Sequence, residues 1–65
     1  MTDTNTMIEI YKTFIHYGNI ISVKELDLTK YGGDFVTTKV IEYNGVKLTF
    51  IMVNGEVLYL KSCND

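Results

Sequence analysis

Sixty-five residues bearing eight carboxylates, six lysines, no arginine and one cysteine carry a net charge of −2 and leave room for a single small domain. A chain this short buries only ~60% of its extended-chain surface, and it needs a disulfide, a metal or self-association when its core falls short. The lone Cys63 excludes an internal disulfide, and His16 and Cys63 lack the paired spacing of a metal motif, which leaves self-association.

The start, Met1 to Thr6, is polar and acidic, the wrong chemistry for a signal peptide, and residues 1–5 read as a frayed leader. From residue 6 to 18 the pattern is helical. Thr6 and Glu9 have capping-box spacing, in which the hydroxyl accepts from the Glu9 amide and the carboxylate reaches back. Steps of 100° place Met7, Ile8, Ile10, Tyr11, Phe14, Ile15 and Tyr17 on an arc of roughly 180°. That arc is wider than one sheet requires, so Ile8, Ile15 and Tyr17 are candidates for a second contact surface. Gly18 stands where a left-handed C′ glycine would close the helix.

Residues 20–28 read as a first strand from the β-branched Ile20, Ile21 and Val23, with a bulge near Lys24 or Glu25, where the apolar parity switches. Thr29 to Asp34, with Gly32-Gly33, is a loop. Residues 35–63 form a three-stranded meander punctuated by Asn44-Gly45 and Asn54-Gly55. Asn-Gly between alternating apolar runs marks a two-residue type I′ hairpin, because both central positions need φ > 0.

The two turns set the pairing. Tyr43 falls opposite Val46, Ile41 opposite Leu48 and Lys39 opposite Phe50; in the second hairpin Val53 meets Glu56, Met52 meets Val57 and Phe50 meets Tyr59. One face then carries Ile41, Tyr43, Leu48, Phe50, Met52, Val57 and Tyr59, the natural bed for the helix. The other carries Val36, Val40, Thr49, Ile51, Val53, Leu58 and Leu60, with a Glu42–Lys47 pair among them. A solvated face should alternate apolar with polar, and this one is largely aliphatic. Side chains worth ~1.5–3 kcal/mol each on burial, gathered in one patch, mark an interface.

Chemistry-bearing residues are sparse. His16 falls on the polar side of the helix as a surface histidine near a C-terminus, with no nucleophile or carboxylate placed to orient it. Nothing basic beside Cys63 would lower its pKa. Glu25 and Asp27 share one parity and Asp34 stands near in the loop; such charges discourage an edge strand from pairing more often than they bind a cation. Lys39, Phe50, Tyr59 and Lys61 on one parity would resemble a stacking platform for single-stranded nucleic acid, against which stand the acidic balance and the missing arginine forks.

The expected protein is therefore α+β: one N-terminal helix packed on a three- to four-stranded antiparallel β-meander. Its expected role is a non-catalytic protein-interaction module without cofactor or metal. It would be a cytoplasmic, homodimeric inhibitor or adaptor that blocks a surface of a larger protein, as phage-encoded blockers of similar size do. A single-stranded nucleic-acid module and a structural subunit of a larger assembly are the alternatives. No apolar run approaches the ~20 residues of a membrane span, and a single unpaired cysteine fits a reducing compartment.

Overall fold

Both Asn-Gly pairs turn the chain as expected: Asn44 and Gly45 take φ of 53° and 76°, and Asn54 and Gly55 take 53° and 85°. The computed structural model, which describes residues 3–62, has one helix and four strands in the order α1 (Thr4–Tyr17), β1 (Asn19–Asp27), β2 (Phe35–Tyr43), β3 (Val46–Val53) and β4 (Glu56–Ser62). The strands form one antiparallel sheet, β1-β2-β3-β4, in which each strand neighbours the next in sequence. This is the α+β meander, with residues 19–27 as a full fourth strand.

The core lies between α1 and one sheet face. Phe14 of the helix meets Ile41, Phe50, Met52 and Val57, and Ile41 and Phe50 have no exposed surface. Met7, Ile10, Tyr11, Tyr43, Leu48 and Leu60 close around them. Aromatic rings meet edge to face, Tyr11 on Phe50 at 5.2 Å and Phe14 on Phe50 at 5.7 Å between centroids, which suits their opposed quadrupoles. Lys39, on the same face, donates from Nζ to the Tyr11 hydroxyl at 2.9 Å.

The helix begins earlier than the capping box at Thr6 implied. Asp3 is the N-cap, and its Oδ1 accepts from the Thr6 amide at 2.7 Å. Asp is as good a cap as Thr, and starting there adds residues 4 and 5 to the helix; of the expected leader, residues 1 and 2 lie outside the described residues. The Thr6 amide, with the Thr6 hydroxyl second, holds the Asp3 carboxyl below its ordinary value of 3.8. A carboxyl whose pKa falls on folding contributes stability at pH well above 3.8, and that contribution is lost as pH falls through the lowered value. Asp3→Ala is therefore expected to lower the thermal midpoint by several degrees at neutral pH, with the gap from wild type closing in strong acid. Paired melts at the two pH values check it; a gap that persists in acid would assign the loss to something other than the carboxylate.

Gly18 ends the helix by a different device from the expected left-handed cap. Its backbone is extended, with φ −92° and ψ −175°, while its N–H donates to Phe14 O at 2.8 Å. A glycine is needed because the chain passes between two carbonyls: a Cβ here would lie 2.6 Å from Glu42 O and 2.7 Å from Phe14 O.

Two bulges depart from the expected register. In β1 the irregularity lies between Ile20 and Ser22 rather than near Lys24 or Glu25, so Ile21 is the extra residue. The second lies in β4. Val53 meets Glu56 and Met52 meets Val57 as the turn dictates, but Ile51 then meets Tyr59 and Phe50 meets Leu60. Leu58 is the extra residue, and beyond it the two faces of β4 are exchanged. Leu60 therefore packs against the core, and Tyr59 passes to the opposite face. The bulge moves an aliphatic side chain rather than a phenol onto Phe50, which avoids burying a hydroxyl that would need a partner.

The 29–34 loop holds a short 3-10 turn, Thr29–Tyr31, closed by Gly32 at φ 82°. Asn54 latches this end of the sheet. Its N–H donates to Phe35 O at 2.8 Å, its Oδ1 accepts from Phe35 N at 3.0 Å, and its Nδ2 donates to Asp34 Oδ1 at 3.1 Å. The β3–β4 turn is thereby tied to the start of β2.

Candidate functional site

A helix can cover one sheet face only. The register places Val36, Thr38, Val40 and Glu42 of β2 and Lys47, Thr49, Ile51 and Val53 of β3 on the face turned away from α1. They stand in rows across the two central strands: Val36 beside Val53, Thr38 beside Ile51, Val40 beside Thr49 and Glu42 beside Lys47. Leu26 and Lys24 extend the first two rows on β1, and Glu56 and Tyr59 extend them on β4.

No element lies over this face. Its central aliphatic residues, Val36, Val40, Ile51 and Val53, are half-buried by their sheet neighbours alone, and Leu26, Leu58 and Tyr59 at its margins are 56%, 63% and 53% exposed. Thr49 in the third row is buried, and no buried side-chain polar atom lacks a partner among the described residues. The surface is thus a strip two strands wide in which Val36, Val53, Ile51 and Val40 are joined by Thr38 and Thr49, with Glu42 and Lys47 at one end and Lys24 and Glu56 on the flanking strands. Among the described residues the ion pair within contact distance is Lys12–Glu9 on the helix, at 3.7 Å. Glu42 and Lys47 are neighbours whose charged heads stay apart, each able to meet a group from outside.

Six of the seven expected interface residues belong to this surface or border it: Val36, Val40, Thr49, Ile51, Val53 and, as the bulged residue, Leu58. Leu60 does not, because the β4 bulge turns it into the core; Tyr59 takes its place. The sequence signal for this exchange is faint, since Val57-Leu58-Tyr59-Leu60 is apolar in both parities. The three helix residues divide. Ile8 is half-buried, whereas Ile15 and Tyr17 are 37% and 66% exposed on the last turn, where the Tyr17 ring lies 4.5 Å from that of His16 and 6.0 Å from that of Tyr43.

The groups with chemistry are dispersed. His16 is exposed beside Tyr17. Asp27 accepts from the Thr29 hydroxyl and the Thr29 amide, which in that order hold its carboxyl below the ordinary range, so it is occupied in starting the 29–31 turn. Asp34 is engaged by Asn54. Among the described residues no three His, Cys, Asp or Glu side chains stand together as metal ligands, and Cys63 lies outside them. The stacking platform is divided between faces: Phe50 is fully covered, Lys39 points to Tyr11, and Tyr59 and Lys61 face the other way. A groove of about 280 Å³ runs between the first half of α1 and the β3–β4 turn, lined by Ile8, Tyr11, Met52 and Val57 with Lys12 and Glu56 at its rim, and no histidine or cysteine borders it.

The outer strand β1 presents a surface absent from the expected interface. Ile20, Ile21, Val23 and Leu26 are all about half exposed, because the strand is an edge and α1 lies mainly over β2 and β4. No described helix is long and apolar enough to cross a membrane. No protein-family model matches the chain, and neither a curated protein nor a solved structure does.

Proposed function

We propose that the chain is a non-catalytic protein-interaction module of the cytoplasm, a small self-associating inhibitor or adaptor that occludes a surface of a larger protein in the manner of a phage-type blocker. The observation that carries this reading is the aliphatic sheet face of Val36, Val40, Ile51 and Val53, with nothing of the same chain over it. Antiparallel sheets tolerate water on one side when that side is polar, and half of the central positions on this side are aliphatic. A contiguous apolar patch rimmed by polar groups is the form that protein–protein contacts take. The dispersal of His16, Asp27 and Asp34 over separate parts of the fold supports a role in binding rather than in catalysis.

Ile51 lies at the centre of the face, paired with Thr38 on one side and Tyr59 on the other. Ile51→Glu is expected to convert the protein from an associated to a monomeric species, measured by light scattering over a concentration series, while far-UV circular dichroism keeps its helix signal. A charge in the middle of an apolar contact is desolvated without a partner, a cost that dissociates rather than weakens the contact. A mass unchanged by the substitution would overturn the reading of this face, and a variant that unfolds would place Ile51 in the internal core.

A further inference from the structure

The charges that border the free face identify what covers it. We infer that its occupant is a second copy of this chain, stacked face to face about a two-fold axis that runs along the strands between β2 and β3. This rests on the reading of that face as a contact surface and goes further by naming the occupant and its orientation.

Two seatings bring the aliphatic rows of two copies together. With the axis along the strands, β2 of one copy lies over β3 of the other, row upon row. Val36 then lies over Val53 of the second copy and Thr38 over Ile51, and Glu42 over Lys47 at the end of the strip. The symmetry repeats each contact, so two Glu42–Lys47 pairs close between the copies. These are the two side chains that stand side by side in one chain without meeting. With the axis across the strands, Glu42 would lie over Val36 of the second copy and Lys47 over Val53, setting each charge on an aliphatic side chain with no partner, which is costly. Stacked sheets stand ~10 Å apart, a gap that a Glu and a Lys side chain span together.

The β4 bulge fits the same seating. By turning Tyr59 onto the free face beside Ile51, it places a phenol ring at the rim, opposite Lys24 of the second copy. The same seating sets Glu56 over Leu26 of the second copy, but at the outer margin, where the exposed Glu56 side chain can turn to water. An edge-to-edge dimer through β1 is disfavoured by its charges. Antiparallel pairing centred on Lys24 or on Glu25 sets like charges opposite each other, and pairing centred on Val23 brings Glu25 against the bulged Ile21 of the second copy. Four strands ~4.8 Å apart and about eight residues long present roughly 500 Å² per copy, or roughly 1,000 Å² for the pair before side-chain relief is added. That reaches the lower bound of about 1,000 Å² for a specific interface, so the dimer is expected to be concentration-dependent rather than obligate. The result is a two-sheet sandwich with a helix on each outer side, which leaves Ile15 and Tyr17 facing outward for a target.

The test uses the whole chain and two charge reversals, Glu42→Lys and Lys47→Glu. Each variant alone sets like charges over one another at both symmetric positions. It should raise the dimer dissociation constant about ten- to a hundredfold in sedimentation equilibrium, since every change counts twice. Mixed one to one, the two variants should form a heterodimer about as tight as the wild-type homodimer, because both facing pairs are then opposite in sign. Circular dichroism of each variant establishes that it is folded, and the chain carrying both reversals should dimerise with itself again. A wild-type chain that stays monomeric, or variants that dimerise unchanged, or a mixture no tighter than its components, each overturns the inference. If Ile51→Glu dissociates the protein while the charge reversals do not, the face is a contact surface and only this seating fails. If Ile51→Glu leaves the mass unchanged, the reading of the face fails with it.

Discussion

Phe50→Ala is expected to leave the chain largely unfolded at 25 °C. Phe50 is fully covered, sits on a central strand, and holds Tyr11 and Phe14 by edge-to-face contacts. Truncating a buried Phe costs ~3–5 kcal/mol through lost transfer energy and the cavity left behind. A protein of this size has a total of roughly 3–10 kcal/mol to lose, at ~0.05–0.15 kcal/mol per residue. The substitution therefore removes a large share of the stability in one step, and the small core has no second layer to collapse into the space. Urea unfolding followed by far-UV circular dichroism would show a native baseline shortened or lost. A variant with a near-wild-type midpoint would place the core elsewhere than between α1 and the sheet. The β4 bulge sharpens the comparison: Leu60→Ala should be the costlier truncation and Tyr59→Ala the milder one, the reverse of what unbroken alternation from the Asn54-Gly55 turn implies.

Gly18→Ala is the second large effect, and it acts through the joint between helix and sheet. The added methyl would sit 2.6 Å from Glu42 O, 2.7 Å from Phe14 O and 3.1 Å from Ile41 Cγ2. The two nearest atoms are backbone, so relief requires opening either the last turn of α1, where Gly18 N–H bonds Phe14 O, or the start of the β1–β2 ladder, where Asn19 pairs with Glu42. Forced overpacking of this kind costs about 3 kcal/mol. The expected result is a midpoint lowered in urea together with early amide exchange at Phe14–Ile20. Wild-type stability in this variant would mean that the joint has slack and that some other residue type suits position 18. Gly45 offers the contrast: a Cβ there meets nothing, and what its φ of 76° demands is a left-handed backbone rather than space.

The consequences of these substitutions reach the proposed contact surface. The helix occupies one face because Ile41, Phe50 and Met52 give it the larger apolar bed, and its occupation of that face is what leaves Val36, Val40, Ile51 and Val53 uncovered by the described chain. Under the proposed reading, stability and binding fall on opposite sides of the same two strands. Residues 46–53 alternate between them: Leu48, Phe50 and Met52 serve the fold, while Thr49, Ile51 and Val53 face outward. A lesion at Phe50 should abolish both fold and association; one at Ile51 should abolish association alone.

The fold class, both hairpin turns, the β2–β3 register and the aliphatic character of the free face were legible in the residues themselves. These features are local: Asn-Gly admits φ > 0 at two successive positions, and a two-residue loop leaves one pairing for the strands on either side. Period-two alternation then divides the side chains between faces without knowledge of the rest of the chain. What only the tertiary structure decided are the places where local signals tie. Asp3 and Thr6 are both good caps, and the choice of Asp3 sets where the helix begins over β4. Gly18 could have closed the helix in a left-handed turn, but the approach of Glu42 to Phe14 made it a spacer instead. Val57-Leu58-Tyr59-Leu60 offers apolar residues to both faces, so the bulge is settled by which side chain fits on Phe50, a contact ten residues away in sequence. Alternation can name two faces, but only packing against the helix determines where a strand changes from one to the other, because the energy difference lies in burial rather than in backbone propensity.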